Sequence, residues 1–121
     1  MTIDELEGAE LAADVAVAQG LKYWKDFEVT PVAWWAKADG TAFCTVAKYR
    51  PDRDIAQAWE LDGEGWGWVF DEIVNNHLLI LVEKDGRRSV IVTVKWADFP
   101  TKSAAYATAR CRAFLKAKAA R

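Results

Sequence analysis

The chain has 121 residues, 52% hydrophobic and 28% charged, with a net charge of −2. Such a length and balance describe one globular domain over 1–121 that buries a core without metal or disulfide, and they argue against general nucleic-acid binding, which draws on a basic surface. Seven tryptophans, five phenylalanines and three tyrosines stand against one histidine and two cysteines, a bias toward binding over catalysis, because Trp and Tyr combine large apolar area with a polar handle.

Thr2-Ile3-Asp4-Glu5 reads as a capping box, with Thr2 capping and Glu5 reaching back to it. Ile3, Leu6, Ala9, Ala13 and Val17 then recur at helical spacing, and Gly20 suits a C-cap, so a first helix is predicted over about 3–19. The opening ten residues are acidic and carry no apolar leader stretch, so no secretory signal is predicted. Residues 21–31 mix aromatics with charge and end at Pro31, which reads as a connection.

Residues 32–38 and 41–48 are strand-like, and Asp39-Gly40 between them is a hairpin signal because the pair tolerates positive dihedral angles. Strand geometry places Trp34 and Trp35 on opposite faces. If one face of the sheet is bare, one of the two rings belongs to a binding surface. The loop Tyr49-Arg50-Pro51-Asp52-Arg53-Asp54 leads into a helix over about 54–61, with Asp52 or Asp54 as cap and Ile55 and Trp59 opening an apolar face. Gly63, Gly65 and Gly67 interrupt it, and a second helical piece is predicted near 66–75.

Residues 77–83 and 89–96 are the clearest strands, joined by Lys84-Asp85-Gly86-Arg87 as a second hairpin. The longest apolar run, 78–82, is far too short to span a membrane. Thr101 or Ser103 caps a closing helix to about Ala119. The whole predicts an α+β fold: an α/β/α sandwich on one four-stranded, mainly antiparallel sheet of two hairpins, in the order α-ββ-α-ββ-α.

Charge is unevenly placed. Residues 1–20 hold five acids and no base, and residues 101–121 hold six bases and no acid. Two readings stay open: terminal helices that attract each other, or a basic helix face that docks an acidic partner. Cys44 and Cys111 fit no metal spacing and read as small buried hydrophobes in a reducing cytoplasm.

No motif assembles a catalytic centre. His77 has no readable partner. Asp71 and Glu72, with Asp62 and Glu64, match no calcium loop and read as a solvated face. Gly63-Glu64-Gly65-Trp66-Gly67 lacks the Lys-Ser/Thr of a phosphate loop. No catalytic residue, cofactor or metal is expected. For binding, Trp66 and Trp68 beside flexible glycines are the first candidates, against the plainer reading that they cap the core. Arg50 and Arg53 beside Tyr49 are the next, against a capping loop with solvated charges. Asp71 and Glu72 complete the expected contact surface.

Four stretches carry a resemblance to the phage ABA sandwich domain, a family of small proteins of tailed phages and prophages. Residues 11–24 look like its opening helix, ending in Gly20 and an aromatic. Residues 49–61 resemble its central motif of a Tyr, a polar turn, an Asp and a helix with a Trp, here Trp59. The strand pair at 78–96 and the helix at 104–117 match its hairpin and closing helix. The family's turn is usually Ser/Thr-rich, whereas this chain has Arg50-Pro51-Asp52-Arg53. The resemblance implies a sandwich fold and a phage protein acting in the host cytoplasm, and no particular activity. With it, the expected function is non-catalytic binding of a host protein or complex, in its most concrete form a counter-defence inhibitor of the anti-CRISPR type. The alternative is a small-molecule binder that sequesters a nucleotide signal, with an aromatic on the base and Arg50 or Arg53 on phosphate. A homodimer through an exposed sheet edge is compatible with either.

Overall fold

The structure is a computed structural model that describes residues 2–25, 32–61, 67–74, 77–84 and 87–119, with the backbone alone described along the strands between 67 and 91 and at 96. In chain order a 3-10 turn, Ile3–Glu5, precedes helix α1, Gly8–Ala18. Strands β1, Lys22–Lys25, β2, Ala33–Ala36, and β3, Ala42–Thr45, follow, then the short helix α2, Ile55–Trp59. Strands β4, Gly67–Val74, β5, His77–Lys84, and β6, Arg87–Lys95, lead through a 3-10 turn, Trp96–Asp98, to helix α3, Lys102–Ala119.

Local chemistry accounts for most boundaries. The first helix is shorter than predicted. Thr2 and Glu5 do meet, with the Thr2 hydroxyl 3.0 Å from Oε1, but they close only a 3-10 turn. Gly8 at φ +63 then resets the backbone direction before α1. At the other end Gly20, at φ +87, is the predicted cap. Its N–H donates to Val17 O at 2.9 Å and that of Leu21 to Ala16 O at 3.1 Å, the paired bonds of a Schellman ending. The Asp54 carboxylate accepts from the Ala56 and Gln57 amides and starts α2, and Thr101 Oγ1 accepts from Ala104 N at 3.1 Å to start α3.

The α+β class is as predicted, and the strands distribute differently. Among the described residues they form two three-stranded antiparallel sheets, β1-β2-β3 and β4-β5-β6, where the sequence led to one four-stranded sheet. Two segments make the difference. Residues 22–25, read as a connection, are β1 and pair with β2, Trp24 opposite Trp34 and Tyr23 opposite Trp35. Residues 66–75, read as helical, contain β4, which pairs with β5 from Gly67 opposite Glu83 to Asp71 opposite Leu79. Val69, Phe70, Ile73 and Val74 fit a helical face by spacing, but branched and aromatic residues also suit a pleated strand. The adjacent apolar strand supplies the pairing that decides between the two. The predicted Asp39-Gly40 hairpin and the β5–β6 hairpin both form.

Helix α3 is the middle of the molecule, with eleven of its 18 residues buried. One stripe, Ala105, Ala109 and Ala113, packs on Val92 and Val94 of β6. Another, Cys111, Phe114 and Leu115, packs on Leu11 and Val15 of α1 and on Leu61. Helix α1 in turn places Ala16 against Trp35 of β2 and Tyr49. The packing thus runs from sheet to helix to helix to sheet, so the helices form the inner layer, in contrast to the outer helices expected of an α/β/α sandwich. Alanines make this possible, since their short side chains let helix and sheet backbones approach on several sides at no cost in rotamer entropy. Ile55 and Trp59, which open the predicted apolar face, are 38% and 56% exposed; Ala58 is the buried residue of α2.

The alanine stripe gives a direct test. Ala109→Leu adds three carbons at a position with no exposed surface, and overpacking of this kind should cost about 1–3 kcal/mol, read as a lowered midpoint in urea denaturation. Ala119→Leu, at the exposed helix end, should leave the midpoint unchanged.

Candidate functional site

The loop at 49–54 turns inward on itself. Tyr49 and Asp52 are 5% exposed, and Pro51 is fully buried. The Tyr49 hydroxyl pairs with Gln19 Nε2, and the same amide donates to Val15 O at 3.3 Å. Arg50 donates from Nε and Nη2 to the two carboxylate oxygens of Asp52, each at 2.8 Å, and this fork raises the guanidinium above its ordinary pKa. The main-chain carbonyl of Asp52 accepts from Thr108 Oγ1 of α3 at 2.9 Å. Gln57 closes the loop, accepting from Arg50 N at 2.7 Å and donating to Lys48 O at 3.0 Å. Arg50 is therefore committed within its own loop, and of the two predicted arginines only Arg53 is exposed.

The side chains of the remaining predicted residues lie outside what the structure describes. Trp66 lies outside the described residues, as do Asp62, Glu64 and the Asn75-Asn76 turn. Trp68, Asp71 and Glu72 sit on β4, and His77 opens β5, where the backbone is described. Of the cysteines, Cys44 is half-buried on β3 and Cys111 is buried in α3. Burial pushes the Cys111 thiol far up, which rules it out as a ready nucleophile. Among the described residues no three His, Cys, Asp or Glu side chains converge as metal ligands. Of the bases on the closing helix, Arg110 and Arg112 bond to main-chain carbonyls, and Lys116 pairs with Asp4 at the surface at 2.8 Å. Attraction between the chain's two ends is thus present in the structure.

A different surface stands out. Trp35 is 4% exposed and meets the edge of Tyr23, centroid to centroid 5.9 Å. By strand alternation, Trp24 and Trp34, directly opposite one another, face the other way. Trp24 is 53% exposed and Trp34 half-buried. They line a pocket of about 430 Å³ with Lys22, Lys37, Ala36 and Ala42. The lining combines indoles with small residues and carries two lysines and no carboxylate. The hairpin beneath is firm. The Asp39 carboxylate accepts from Thr41 N at 2.9 Å and Thr41 Oγ1 at 2.6 Å, and these bonds hold it below the usual carboxylate range. Gly40 at φ +89 makes the turn. Sequence reasoning left one ring of the Trp34-Trp35 pair as a conditional surface residue, without saying which, and missed Trp24. The signal for Trp24 was the Lys22-Tyr23-Trp24-Lys25 run itself, charged at both ends and aromatic between.

No family model matches the chain, and neither does any curated protein or any solved structure. No described helix is long and apolar enough to cross a membrane.

Burial raises the Tyr49 phenol above its ordinary value of 10.0, partly offset by the bond from Gln19. Folding therefore favours the neutral phenol. That contribution is complete below the unfolded pKa and is lost as pH rises through the higher folded value. Absorbance titration at 295 nm should show one phenol ionising above the ordinary range, absent in Tyr49→Phe. The wild type should lose stability across that interval more steeply than the variant. At neutral pH Tyr49→Phe should cost about 1 kcal/mol, the worth of one hydrogen bond.

Proposed function

We propose that this protein acts by binding an acidic surface of another protein through the open face of the first sheet. The observation that carries the reading is the exposed Trp24 beside Trp34, flanked by Lys22 and Lys37 with no carboxylate in the lining. Two indoles in register supply apolar anchor area, and the lysines favour a negatively charged partner and speed its approach. Among the described residues the core side of the same strands is already closed by Trp35, Tyr49 and Ala16, and Trp24 and Trp34 stand outside that cluster. Arg53, exposed on the adjacent loop, and Trp66, Trp68, Asp71 and Glu72 remain part of the proposed contact set, whereas Arg50 serves to hold Asp52. The setting, a phage or prophage protein that blocks a host defence complex in the bacterial cytoplasm, rests on the sequence resemblance.

A second reading has its own support. A pocket of about 430 Å³ is within the size range of small-ligand sites, and an indole pair with two lysines suits a nucleotide, its base stacked and its phosphates on the ammonium groups.

The test compares wild type with Trp24→Ala/Trp34→Ala and with Arg53→Ala as bait in lysate of the bacterial host, after circular dichroism has shown each to be folded. The expected result is one host complex held by wild type, lost by about tenfold or more in the double tryptophan variant, and weakened by salt. Equal retention by wild type and the double variant overturns the surface. Quenching of tryptophan emission by nucleotides, abolished in Trp24→Ala, would transfer the site to the second reading.

A further inference from the structure

A second cavity, of about 380 Å³, is bounded by the first 3-10 turn, β6, the second 3-10 turn and α3. Arg112 lines it and is only 8% exposed. Its Nε donates to Leu6 O at 3.0 Å. Among the described residues that is its one hydrogen bond, and none of the nearby carboxylates of Asp4, Glu7 and Asp98 is its ion-pair partner, although all three act on it through space. A buried guanidinium with both terminal amino groups unengaged is costly, since each unmet donor carries a desolvation penalty.

The charges around it are ordered by depth. Arg112 is buried, whereas Glu7, Asp98 and Lys95 are exposed at the mouth. Asp4 is already bonded to Lys116. That leaves two cations and two carboxylates facing the cavity, with Phe99 as an apolar wall. A lone anion on Arg112 would also meet Glu7 and Asp98, and a lone cation at the mouth would leave Arg112 as it is. Because Nε is occupied by Leu6, the free edge of the guanidinium is its terminal pair, the end-on fork that takes a carboxylate through two parallel bonds.

We propose that this cavity binds a small zwitterion of the neutral α-amino-acid class, its carboxylate on the terminal nitrogens of Arg112 and its ammonium between Glu7 and Asp98. The volume admits a free amino acid with an apolar side chain against Phe99. The site is separate from the tryptophan face and stands or falls independently of it.

The experiment is calorimetric titration of the full chain with L-alanine, L-leucine and L-phenylalanine, and with acetate, methylammonium and inorganic phosphate as partial ligands. The expected result is saturable binding of at least one amino acid and markedly weaker binding of every partial ligand. Arg112→Lys, which keeps the charge and loses the fork, should weaken binding by about tenfold or more. Because that side chain is buried and its replacement could perturb folding, Glu7→Gln/Asp98→Asn at exposed positions is the companion variant. It should keep the wild-type circular dichroism, weaken the amino acid and leave acetate unchanged or tighter. Trp24→Ala/Trp34→Ala should bind as wild type. The proposal is overturned if no amino acid saturates wild type, if acetate or phosphate binds as well as the amino acid, or if the Glu7/Asp98 variant binds undiminished.

Discussion

Three polar side chains of one helix reach main-chain carbonyls of three other segments. Thr108 bonds to Asp52 O, Arg110 to Ala58 O at 3.0 Å and Leu61 O at 2.9 Å, and Arg112 to Leu6 O. Each of those carbonyls lies at a loop or helix end, where regular backbone pairing runs out, although Ala58 O also accepts from Leu61 N at 3.2 Å. A helix buried on several sides would strand such groups away from water, and the donors on α3 prevent that. The loop at 49–54, the end of α2 and the turn before α1 are all fixed in place by α3, and the rest of the layout follows from where those segments are held.

The same arrangement explains why so short a helix as α2 persists. Five residues are too few to be stable alone. Asp54 caps one end, and Arg110 takes the carbonyls of the other while its guanidinium lies over the Trp59 ring at 5.0 Å. Trp59 can thus be exposed and still contribute, so the apolar face that it opens with Ile55 is not the buried face of α2.

What was legible in the sequence was local. The Schellman ending at Gly20, the Asp39-Gly40 turn and the caps at Asp54 and Thr101 each depend on a few neighbouring residues, and each is where the sequence places it. What was not legible depended on partners distant in the chain. Residues 67–74 satisfy both periods, and only pairing with β5 makes them a strand. Residues 22–25 show no alternation at all, since all four are exposed, so no periodic signal marks them. The layering was inverted for a related reason: Ala105, Ala109 and Ala113 look unremarkable in hydropathy, yet their smallness is what lets α3 sit between a sheet and two helices. At the candidate site, Arg50 looked like a ligand donor because Arg beside Tyr often is; that Asp52, two residues on, would be buried and claim the guanidinium depends on Thr108, more than fifty positions away.

The two faces of β2 show how one strand divides these duties. Trp35 closes the core, with Tyr23, Tyr49 and Ala16 around it, and its burial is enough to fix the register of the first sheet, since a slip by one residue would exchange it with Trp34. Trp34 lies on the other face, outside that core cluster. An exposed edge strand rich in aromatics invites unwanted pairing, and β1 carries lysines at both ends, the usual charge device against it. One of these, Lys22, is also one of the two lysines that line the pocket. Guarding the edge and drawing in the proposed acidic partner would thus share Lys22 beside Trp24, and that overlap is a physical argument for the binding surface proposed on this sheet.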